Sequence, residues 1–407
     1  MLGKVIATIV SIASSAVPTA FAQPQLPDGE GRTVVQQACL GCHEPSRIIA
    51  SGYSREDWEN VVHMMQNVGA PVPPDKVALL TDYLANNFPE KPRPAPSLIG
   101  GTTHIDIKEW VVPTAGSRPH DPLAYPDGSI WYTGQTANVL GRLDPHSGTI
   151  TEYHPDTPGS GPHGLVADRD GNIWFTGNFA GYIGKLDPRT SKFTAYPLPD
   201  PNARDPHTPI FDRRGILWFT VQGANMIGRL DPASGQIRLA TSPTPRSNPY
   251  GMVISSRDVP WFCEFGANKL ASVDPDTMTI HEHALPNAAS RPRRIAITPD
   301  DVIWYSDYAR GYVGRFDTKN GDTREYPSPG GPNAMPYGIV YLKRAVWYSE
   351  SGMRPNTLVR FDPATATFQT WAIPSGGGVV RNMAVTRDGN IAMAESGVNR
   401  VALVTVQ

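Results

Sequence analysis

The chain has 407 residues, and its 38 acidic and 36 basic side chains leave a formal net charge of -2. This balance argues against a nucleic-acid partner, which would require a basic surface, and it gives no polybasic signal for a membrane surface. The 38 glycines and 41 prolines, about a fifth of the chain, exclude a mostly helical fold, while 40% hydrophobic residues suffice for a core. The composition therefore predicts many short strands joined by turns.

Residues 1–22 are predicted to be a signal peptide. Lys4 supplies a positive charge, Val5 to Val17 is an apolar run, and Ala20-Phe21-Ala22 fits a small-x-small cleavage site. The run is short for a transmembrane span, although an uncleaved membrane anchor is the alternative. We therefore expect a periplasmic protein without a membrane span after cleavage, since no later stretch is continuously apolar over such a length.

Two of the three cysteines lie close together in Cys39-Leu40-Gly41-Cys42-His43. C-x-x-C-H is the attachment motif of c-type haem, in which both thiols form thioethers and the histidine binds the iron. A thioredoxin-like redox pair would need a βαβ context, a zinc site would need a second Cys/His pair nearby, and a plain disulfide is the third alternative. We predict covalent haem c at Cys39 and Cys42, with His43 as an axial ligand.

A helix that begins after Ser54 is predicted to supply the second axial ligand. Ser54 fits an N-cap, with Asp57 completing a weak capping box. The apolar residues that share its inward face are Trp58, Val61, Val62 and Met65. We expect Met65 to bind the iron, with Met64 as the second choice and His63 as the third; alternatively, Met65 only packs in the core.

Residues 28–90 are therefore predicted to form a small all-α c-type cytochrome domain of three helices. His/Met ligation would suit an electron carrier. Residues 91–103 follow as a proline-rich linker, since the prolines between Pro89 and Pro96 favour an extended, semi-rigid conformation. The haem domain would then be held at a limited set of distances from the rest of the chain.

Residues 104–407 contain an internal repeat of about 43 residues. Its clearest marker is a recurring tryptophan, found at Trp131, Trp174, Trp218, Trp261, Trp304 and Trp347. Each copy contains four predicted short strands, which is typical of a β-propeller blade, and a degenerate seventh copy ends the chain. We predict an all-β, seven-bladed propeller in which Ile105 to Val112 supplies the outer strand missing from the last copy and closes the ring.

The second copy contains Pro162-His163-Gly164-Leu165, Asp170-Gly171-Asn172-Ile173-Trp174-Phe175-Thr176 and Ile183-Gly184-Lys185-Leu186-Asp187. This pattern resembles the blade of virginiamycin B (streptogramin) lyase, and the whole chain resembles bacterial fusions of such a propeller to a c-type cytochrome. The resemblance implies an elimination that opens a macrolactone, a bound Mg²⁺, and histidines after the proline of the last two blades. Here those positions hold Tyr337 and Asn382, while a family carboxylate is matched by Glu395.

Two positions of the repeat vary around the predicted ring. Histidine follows proline in the first three copies, at His120, His163 and His207. The position three residues after the tryptophan is acidic in the last four copies, at Glu264, Asp307, Glu350 and Glu395. Because equivalent positions of a propeller surround its channel, we expect these residues at one rim, where the histidines would bind a divalent metal or an anionic substrate group. Alternatively, each histidine and carboxylate only forms hydrogen bonds within its own part of the ring.

Three functions remain open, since the chain has no serine-hydrolase, P-loop or dinucleotide-binding motif. The preferred one is an exported haem c electron-transfer protein, a component of an oxidoreductase, whose propeller binds a small-molecule substrate or docks an electron donor or acceptor protein. The alternatives are a carbon–oxygen lyase with a rebuilt active site and a non-catalytic, redox-sensing interaction propeller. We expect a monomer, and we expect Cys263 to be an inert core thiol.

Overall fold

The computed structural model describes residues 25–407, so the predicted signal peptide lies outside the described residues. Helices occupy the beginning of this range: α1 Arg32–Ala38, α2 Pro45–Ala50, α3 Arg55–Asn67, a 3₁₀ turn Pro74–Lys76 and α4 Val77–Asn87. The short helix α2 is additional to the three predicted helices, and it begins with a proline at a position that suits the first turn. No helix among the described residues is long and apolar enough to cross a membrane.

Helix α3 starts as the sequence predicts. The Ser54 hydroxyl accepts a hydrogen bond of 3.1 Å from the Asp57 amide, which satisfies one free donor of the first turn. The Trp58 indole donates to the Phe88 carbonyl at 2.8 Å and so ties α3 to the end of α4. The helices share one small apolar core, formed by Leu26, Val35, Ala38, Ile48, Trp58, Val62, Val72, Leu80, Tyr83, Leu84 and Phe88.

The rest of the chain forms seven four-stranded antiparallel sheets, which confirms the predicted seven-bladed propeller. In blades 1–6 the strands follow chain order from the channel outward. Blades 1–3 contain β2–β5 (Pro119–Ala124, Ile130–Gly134, Val139–Leu143, Ile150–Tyr153), β6–β9 (Pro162–Ala167, Ile173–Gly177, Tyr182–Asp187, Lys192–Pro197) and β10–β13 (Pro206–Phe211, Leu217–Val221, Met226–Leu230, Ile237–Thr241). Blades 4–6 contain β14–β17 (Pro249–Ile254, Pro260–Glu264, Lys269–Val273, Ile280–Ala284), β18–β21 (Pro292–Ile297, Val302–Asp307, Tyr312–Asp317, Thr323–Pro327) and β22–β25 (Pro336–Leu342, Ala345–Glu350, Thr357–Asp362, Thr367–Ala372).

The seventh blade joins the two ends of the propeller sequence. It contains β26 (Val380–Val385), β27 (Ile391–Glu395), β28 (Arg400–Val406) and, outermost, β1 (Ile105–Val111). Strand β1 pairs with β28 in antiparallel register, from Ile105 opposite Val406 to Val111 opposite Arg400. The predicted closure by the first strand is therefore confirmed, and it pairs the edge that β28 would otherwise leave open.

In four blades the recurring tryptophan stacks on an aromatic side chain of the outer strand. Trp131 stacks on Tyr153 with ring centroids 5.2 Å apart, and Trp347 stacks on Trp371 at 5.6 Å. Such pairs bury a large apolar area at a fixed geometry, which explains why the tryptophan keeps the period of the repeat.

Neighbouring blades are linked by a hydrogen bond two residues after the tryptophan. In blade 1, the Thr133 hydroxyl donates to the His163 carbonyl of blade 2 at 2.6 Å and accepts from the Asp121 amide at 3.1 Å. Equivalent donors to the next blade are Thr176, Thr220, Cys263 and Ser349. Each of these side chains connects its blade to the inner strand of the next blade. The residue two positions after the tryptophan therefore stabilises the ring as well as its own blade.

The linker lies along blade 6. The Ile99 amide donates to the Thr370 hydroxyl at 2.7 Å, and the Thr370 amide donates back to the Ile99 carbonyl at 3.0 Å. Closer to the helices, the Arg354 amide donates to the Pro94 carbonyl at 3.1 Å. Contacts with the propeller, in addition to its prolines, therefore hold the linker in place.

The hydrogen bond from Cys263 to the next blade can be tested by substitution. Its buried thiol donates to the Arg293 carbonyl at 3.0 Å and accepts from the Gly251 amide at 3.1 Å, and burial raises its pKa to about 12. We expect Cys263→Ala to lower the free energy of unfolding by about 1–3 kcal/mol, because it leaves both partners unpaired. Cys263→Thr, which restores the hydroxyl of the first three blades, is the control in urea unfolding. Equal losses in both variants would contradict the bridging role.

Candidate functional site

The start of each inner strand defines a ring of equivalent positions. The first residue of the strand pairs with the last residue of the next strand, as Pro119 pairs with Gly134 and Val380 with Glu395. The residues that follow it, in blade order, are His120, His163, His207, Tyr250, Arg293, Tyr337 and Arg381. The assignment of Asn382 to this position was wrong by one residue. Val380, which pairs with Glu395, replaces the proline of the other blades, so the residue that follows it is Arg381.

The three histidines come together in a buried row. The ring centroids of His120 and His163 are 3.6 Å apart, and those of His163 and His207 are 3.8 Å apart. The His207 ring in turn lies 3.9 Å from the Tyr250 ring. Each histidine side chain is almost fully buried. The row therefore occupies the space between the inner strands of blades 1–4.

A buried ion pair crosses the channel next to this row. The Arg294 guanidinium of blade 5 donates to the Asp121 carboxylate of blade 1 at 2.7 Å and to the Thr208 hydroxyl of blade 3 at 3.1 Å. The side chains of Arg294 and Asp121 are only 4% and 5% exposed. Because blades 1, 3 and 5 are not neighbours, these contacts lie across the axis and form a plug. On the other side of the plug is a cavity of about 300 Å³, lined mainly by apolar residues such as Leu165, Met252, Ile295 and Ile339.

The imidazoles of the row are neutral near physiological pH. Burial lowers the pKa of His120, His163 and His207 well below 6.5, and nearby arginines lower that of His120 further. His120 Nδ1 is 2.9 Å from the Asp121 carboxylate, and His207 Nδ1 is 2.9 Å from the Thr208 hydroxyl. His163 Nδ1 has no hydrogen-bond partner within residues 25–407.

The imidazole nitrogens and the Asp121 carboxylate have the spacing of metal ligands, but the charges around them are unfavourable for a cation. Ligand atoms of His120, Asp121 and His163 lie within 4.8 Å of one another. However, Asp121 is already paired with Arg294, and further arginines lower the pKa of His120 by their positive charge. A divalent cation would meet the same repulsion. The charges around these ligand atoms therefore oppose the binding of a divalent cation.

The other half of the ring consists of phenols and guanidiniums. Arg293 lies over the Tyr337 ring, 3.8 Å from its centroid, and the hydroxyls of Tyr250 and Tyr337 share a short hydrogen bond. Burial raises the pKa of Tyr250, and so does its neighbour Tyr337. Burial would also raise the pKa of Tyr337, but Arg293, Arg381 and Arg294 together lower it. The arginines thus favour loss of the first proton from this hydrogen-bonded pair, and that proton belongs to the pair and not to one phenol.

The predicted acidic residues bind loops instead. Glu350 accepts hydrogen bonds from the Ser328 hydroxyl at 2.6 Å and the Gly330 amide at 2.7 Å, both in the loop that enters its blade. Glu264 and Glu395 accept from loop residues Ser242 and Ser375 in the same way. Within residues 25–407, no hydrogen bond joins these carboxylates to the histidine row. These contacts correspond to the alternative that each carboxylate forms hydrogen bonds within its own part of the ring. They form because each loop passes over the end of the second strand.

Helix α3 is held against the loops at this end of the propeller. Asn60 donates to the Gly397 carbonyl at 3.3 Å, and Asn67 donates to the Ala115 carbonyl at 2.9 Å. The Asp57 carboxylate, predicted to complete a capping box, instead pairs with Arg354 of blade 6 at 3.0 Å. The contacts involve loops of blades 6, 7 and 1. The helical segment is thus anchored, through Ala115 and Gly116, four to five residues in sequence before the ring residue His120.

The C-x-x-C-H residues lie after the last turn of α1. The thiols of Cys39 and Cys42 are unpaired, Cys42 is exposed and Cys39 is half-buried. Burial raises the pKa of Cys39, and so does the neighbouring Cys42. Met65, like His43, is half-buried and is not one of the side chains that form the helical core.

Sequence reasoning missed four residues of the channel: Arg118, Asp121, Arg294 and Arg381. Two of these residues, Asp121 and Arg294, occupy the repeat position that directly follows the histidine position. Extending the alignment of the repeats by one residue gives Asp121, Gly164, Thr208, Gly251, Arg294, Gly338 and Asn382. Two opposite charges in a column of small and polar residues would have indicated an ion pair across the ring.

The fold and its ring of inner-strand residues define a class, the seven-bladed propellers of the streptogramin lyase type. The chain belongs to the virginiamycin B lyase family, which it matches over residues 98–263 and 255–407. No curated protein matches the chain.

Solved structures agree with this assignment. A streptogramin B lyase is 28% identical, with a TM-score of 0.68, over 74% of this chain and 98% of the other. Selenomethionine-substituted virginiamycin B lyase from Staphylococcus aureus is 26% identical, with a TM-score of 0.67, over 74% of this chain and 99% of that one. A catalytically inactive histidine-to-alanine variant of the same lyase, determined with quinupristin, is also 26% identical, with a TM-score of 0.68 and the same coverage. The similarity thus covers the propeller.

The buried histidines predict a loss of stability in acid. The unfolded chain takes up protons on histidine as the pH falls through 6.5, whereas the folded imidazoles stay neutral, so the unfolded state gains about 1.4 kcal/mol per pH unit for each histidine. We expect His163→Gln to reduce the pH dependence of the free energy of unfolding between pH 7.5 and 5 by about one proton. His281→Gln, at an exposed position, is the control. Parallel curves for wild type and His163→Gln would rule out a neutral buried His163.

The docking of α3 predicts different effects for two glycines. Gly116 and Gly128 both have positive φ, at 63° and 88°, so alanine is strained at either by about 1 kcal/mol. A Cβ at Gly116 would clash with the backbone of His63 and Met64, whereas one at Gly128 would meet no atom within 4 Å. We therefore expect Gly116→Ala, but not Gly128→Ala, to speed amide hydrogen exchange in residues 55–67. Equal exchange rates in the two variants would contradict the docking.

Proposed function

We propose that this chain is an exported haem c electron-transfer protein, and that its lyase-type propeller binds a substrate or an electron-transfer partner at the channel mouth. The supporting observation is the motif Cys39-Leu40-Gly41-Cys42-His43, with both thiols unpaired, in a helical segment docked beside the ring of inner-strand residues. When bound, haem c would supply one-electron transfer at its iron. Export to the periplasm is part of the proposal, since thioether formation of this kind would follow the predicted signal peptide.

The residues around the motif fit a covalently held haem. The amides of Cys42 and His43 donate to the Cys39 carbonyl at 3.2 and 3.1 Å, so the motif forms a compact turn after α1. This turn keeps the two thiols and the imidazole close together along the chain. The exposed Cys42 thiol is accessible for attachment. His43 and Met65 would be the protein's ligands to the iron.

Contacts of α3 support Met65 over the other two candidates. The backbone of Met64 lies against Gly116 of the propeller, on the docked side of the helix. His63 Nδ1 is 3.0 Å from the Gln66 side-chain oxygen and is engaged there. Met65 follows the buried Trp58 and Val62 by one turn or two, which places it on the inward side. Met65 is therefore our choice for the second axial ligand.

A carbon–oxygen lyase with a rebuilt site is the second candidate, and the Tyr250–Tyr337 pair favours it. Tyr337 stands at the ring position of blade 6, where the family resemblance places a histidine, and nearby arginines lower its pKa. A hydrogen-bonded pair of phenols that loses its first proton more readily beside arginines can accept a proton from a substrate and return it. Both rings are buried, so a substrate would have to enter the mouth to reach them.

Haem attachment is the experiment that tests the proposal. Full-length protein expressed with a cytochrome c maturation system should carry covalent haem and show a reduced α-band with dithionite. Cys39→Ala combined with Cys42→Ala should remove both signals. Colourless wild-type protein would end the electron-transfer proposal. Cleavage of a streptogramin ester by the double cysteine variant, at the wild-type rate, would support the lyase instead.

The axial ligand has its own test in the haem-loaded protein. Met65→Ala should convert the low-spin iron to high-spin and lower its reduction potential, because a thioether ligand favours the reduced iron. Met64→Ala, on the adjacent residue of the same helix, should leave the visible spectrum and the potential unchanged. If Met64→Ala gives the larger change, Met65 is not the ligand.

A further inference from the structure

We propose that the channel mouth of the propeller is a binding site for the oxyanion of a small molecule, a carboxylate or a phosphate ester, held by Arg118, Arg293 and Arg381. Arg293 and Arg381 occupy the ring position in blades 5 and 7, and Arg118 precedes the ring residue His120 by two. All three residues are half-buried, so each keeps part of its surface open to solvent. Guanidinium is the group that best matches the geometry of these anions.

The three arginines have no counter-ion within the described part of the chain. No carboxylate between residues 25 and 407 forms an ion pair with any of them, and the nearby Asp121 is taken by Arg294. The Nε atoms of Arg293 and Arg381 are buried without a hydrogen-bond partner, and so is His163 Nδ1, in a side chain that is almost fully buried. Buried arginine donors and charges without partners are rare in native structures, and a bound anion would satisfy those of Arg293 and Arg381.

Aromatic rings, and not a carboxylate, surround the guanidinium of Arg293. Its guanidinium lies 3.8 Å from the centroid of Tyr337, 4.3 Å from Tyr308, 4.8 Å from Phe265 and 5.3 Å from Tyr250. Such rings stabilise a cation without neutralising it. The positive charge of Arg293 is therefore fixed in position and remains available to a ligand.

The mutual repulsion of these cations supports the same conclusion. Burial lowers the pKa of Arg118 to about 10, and Arg381 and Arg293 contribute to the shift. An anion between them would oppose this repulsion. The neutral imidazoles of the row next to them add hydrogen-bonding groups without adding charge. The mouth therefore combines excess positive charge with unused donors.

This site specifies the substrate class of the proposed function. It rests on that proposal, because it takes the propeller to be the substrate-binding module. Gly116, on which α3 packs, is two residues before Arg118. A small anion at the arginines would thus bind beside the segment that carries the C-x-x-C-H motif. The substrate class we infer is a small carboxylate or phosphate ester rather than a neutral molecule or a metal ion.

The experiment measures the melting temperature of the full chain against increasing sodium phosphate and, separately, sodium benzoate, at constant ionic strength set with sodium chloride. Wild-type protein should melt at higher temperature as at least one of these anions increases, because ligand binds only the folded state. Arg118→Gln and Arg381→Gln should weaken the apparent affinity about tenfold or more, as expected for a charge-assisted hydrogen bond. Arg324→Gln, an exposed arginine of blade 5, is the matched control and should respond like wild type.

The variants also separate binding from folding. Without added oxyanion, Arg118→Gln should melt at or above the wild-type temperature, because it removes one of several repelling charges. A response to phosphate alone identifies a phosphate ester as the ligand class, and a response to benzoate alone identifies a carboxylate. No shift with either probe, or an unchanged shift in Arg118→Gln and Arg381→Gln, overturns the site. The Cys39→Ala, Cys42→Ala variant should keep the anion response, so failure of haem attachment and failure of this site are distinguishable.

Discussion

Seven blades surround one channel because strand β1, from the start of the propeller sequence, pairs along its whole length with β28 at the end. This pairing covers the edge that β28 would otherwise leave open, and it ties blade 7 to the start of the propeller sequence, which continues into blade 1. The closing strand also changes the acidity of a carboxyl group: burial and the neighbouring Glu109 of β1 both raise the pKa of Glu395 in β27. The position of each channel side chain depends on this closure.

The closed ring brings one position of every blade to a common site, and the sequence makes its two halves different. Three neutral imidazoles from blades 1–3 stack in a row, while the later blades supply Tyr250, Arg293, Tyr337 and Arg381. The Asp121–Arg294 pair separates this mouth from the apolar cavity beyond it. Since that pair uses the carboxylate nearest to the histidines, the remaining charge of the mouth is positive. This imbalance is the physical reason for inferring an anion and not a cation.

The helical segment is placed by specific contacts rather than by the stiffness of its linker. Arg354 binds both Asp57 and Glu90, at 3.0 Å each, and the linker pairs with Thr370 on the outer strand of blade 6. A segment fixed in this way keeps one orientation towards the channel. If the segment carries haem, as we propose, its distance to a ligand in the mouth would be constant, which an electron carrier requires and a free tether would not provide.

The sequence by itself determined the features that local patterns encode. A tryptophan every 43 or 44 residues predicts blades because it is buried within its own blade, in four of them stacked on the outer strand. Ser54 caps α3 because capping needs only the next three residues. The C-x-x-C-H motif is equally local, and haem c remains a prediction from it. The histidine position was visible in the repeat for the same reason.

Only the tertiary structure decided which side chains meet. Asp121 and Arg294 are 173 residues apart, and they form an ion pair because the ring places blades 1 and 5 across one axis. Repeat spacing could not show that Glu264, Glu350 and Glu395 bind loop residues, since this depends on the path of each loop. It also could not show that the ring position of blade 7 holds Arg381 and not Asn382, because the proline that marks this position in the other blades is absent and only the pairing of Val380 with Glu395 locates it. The chemistry of the channel follows from these distant contacts, which are set by closure of the ring.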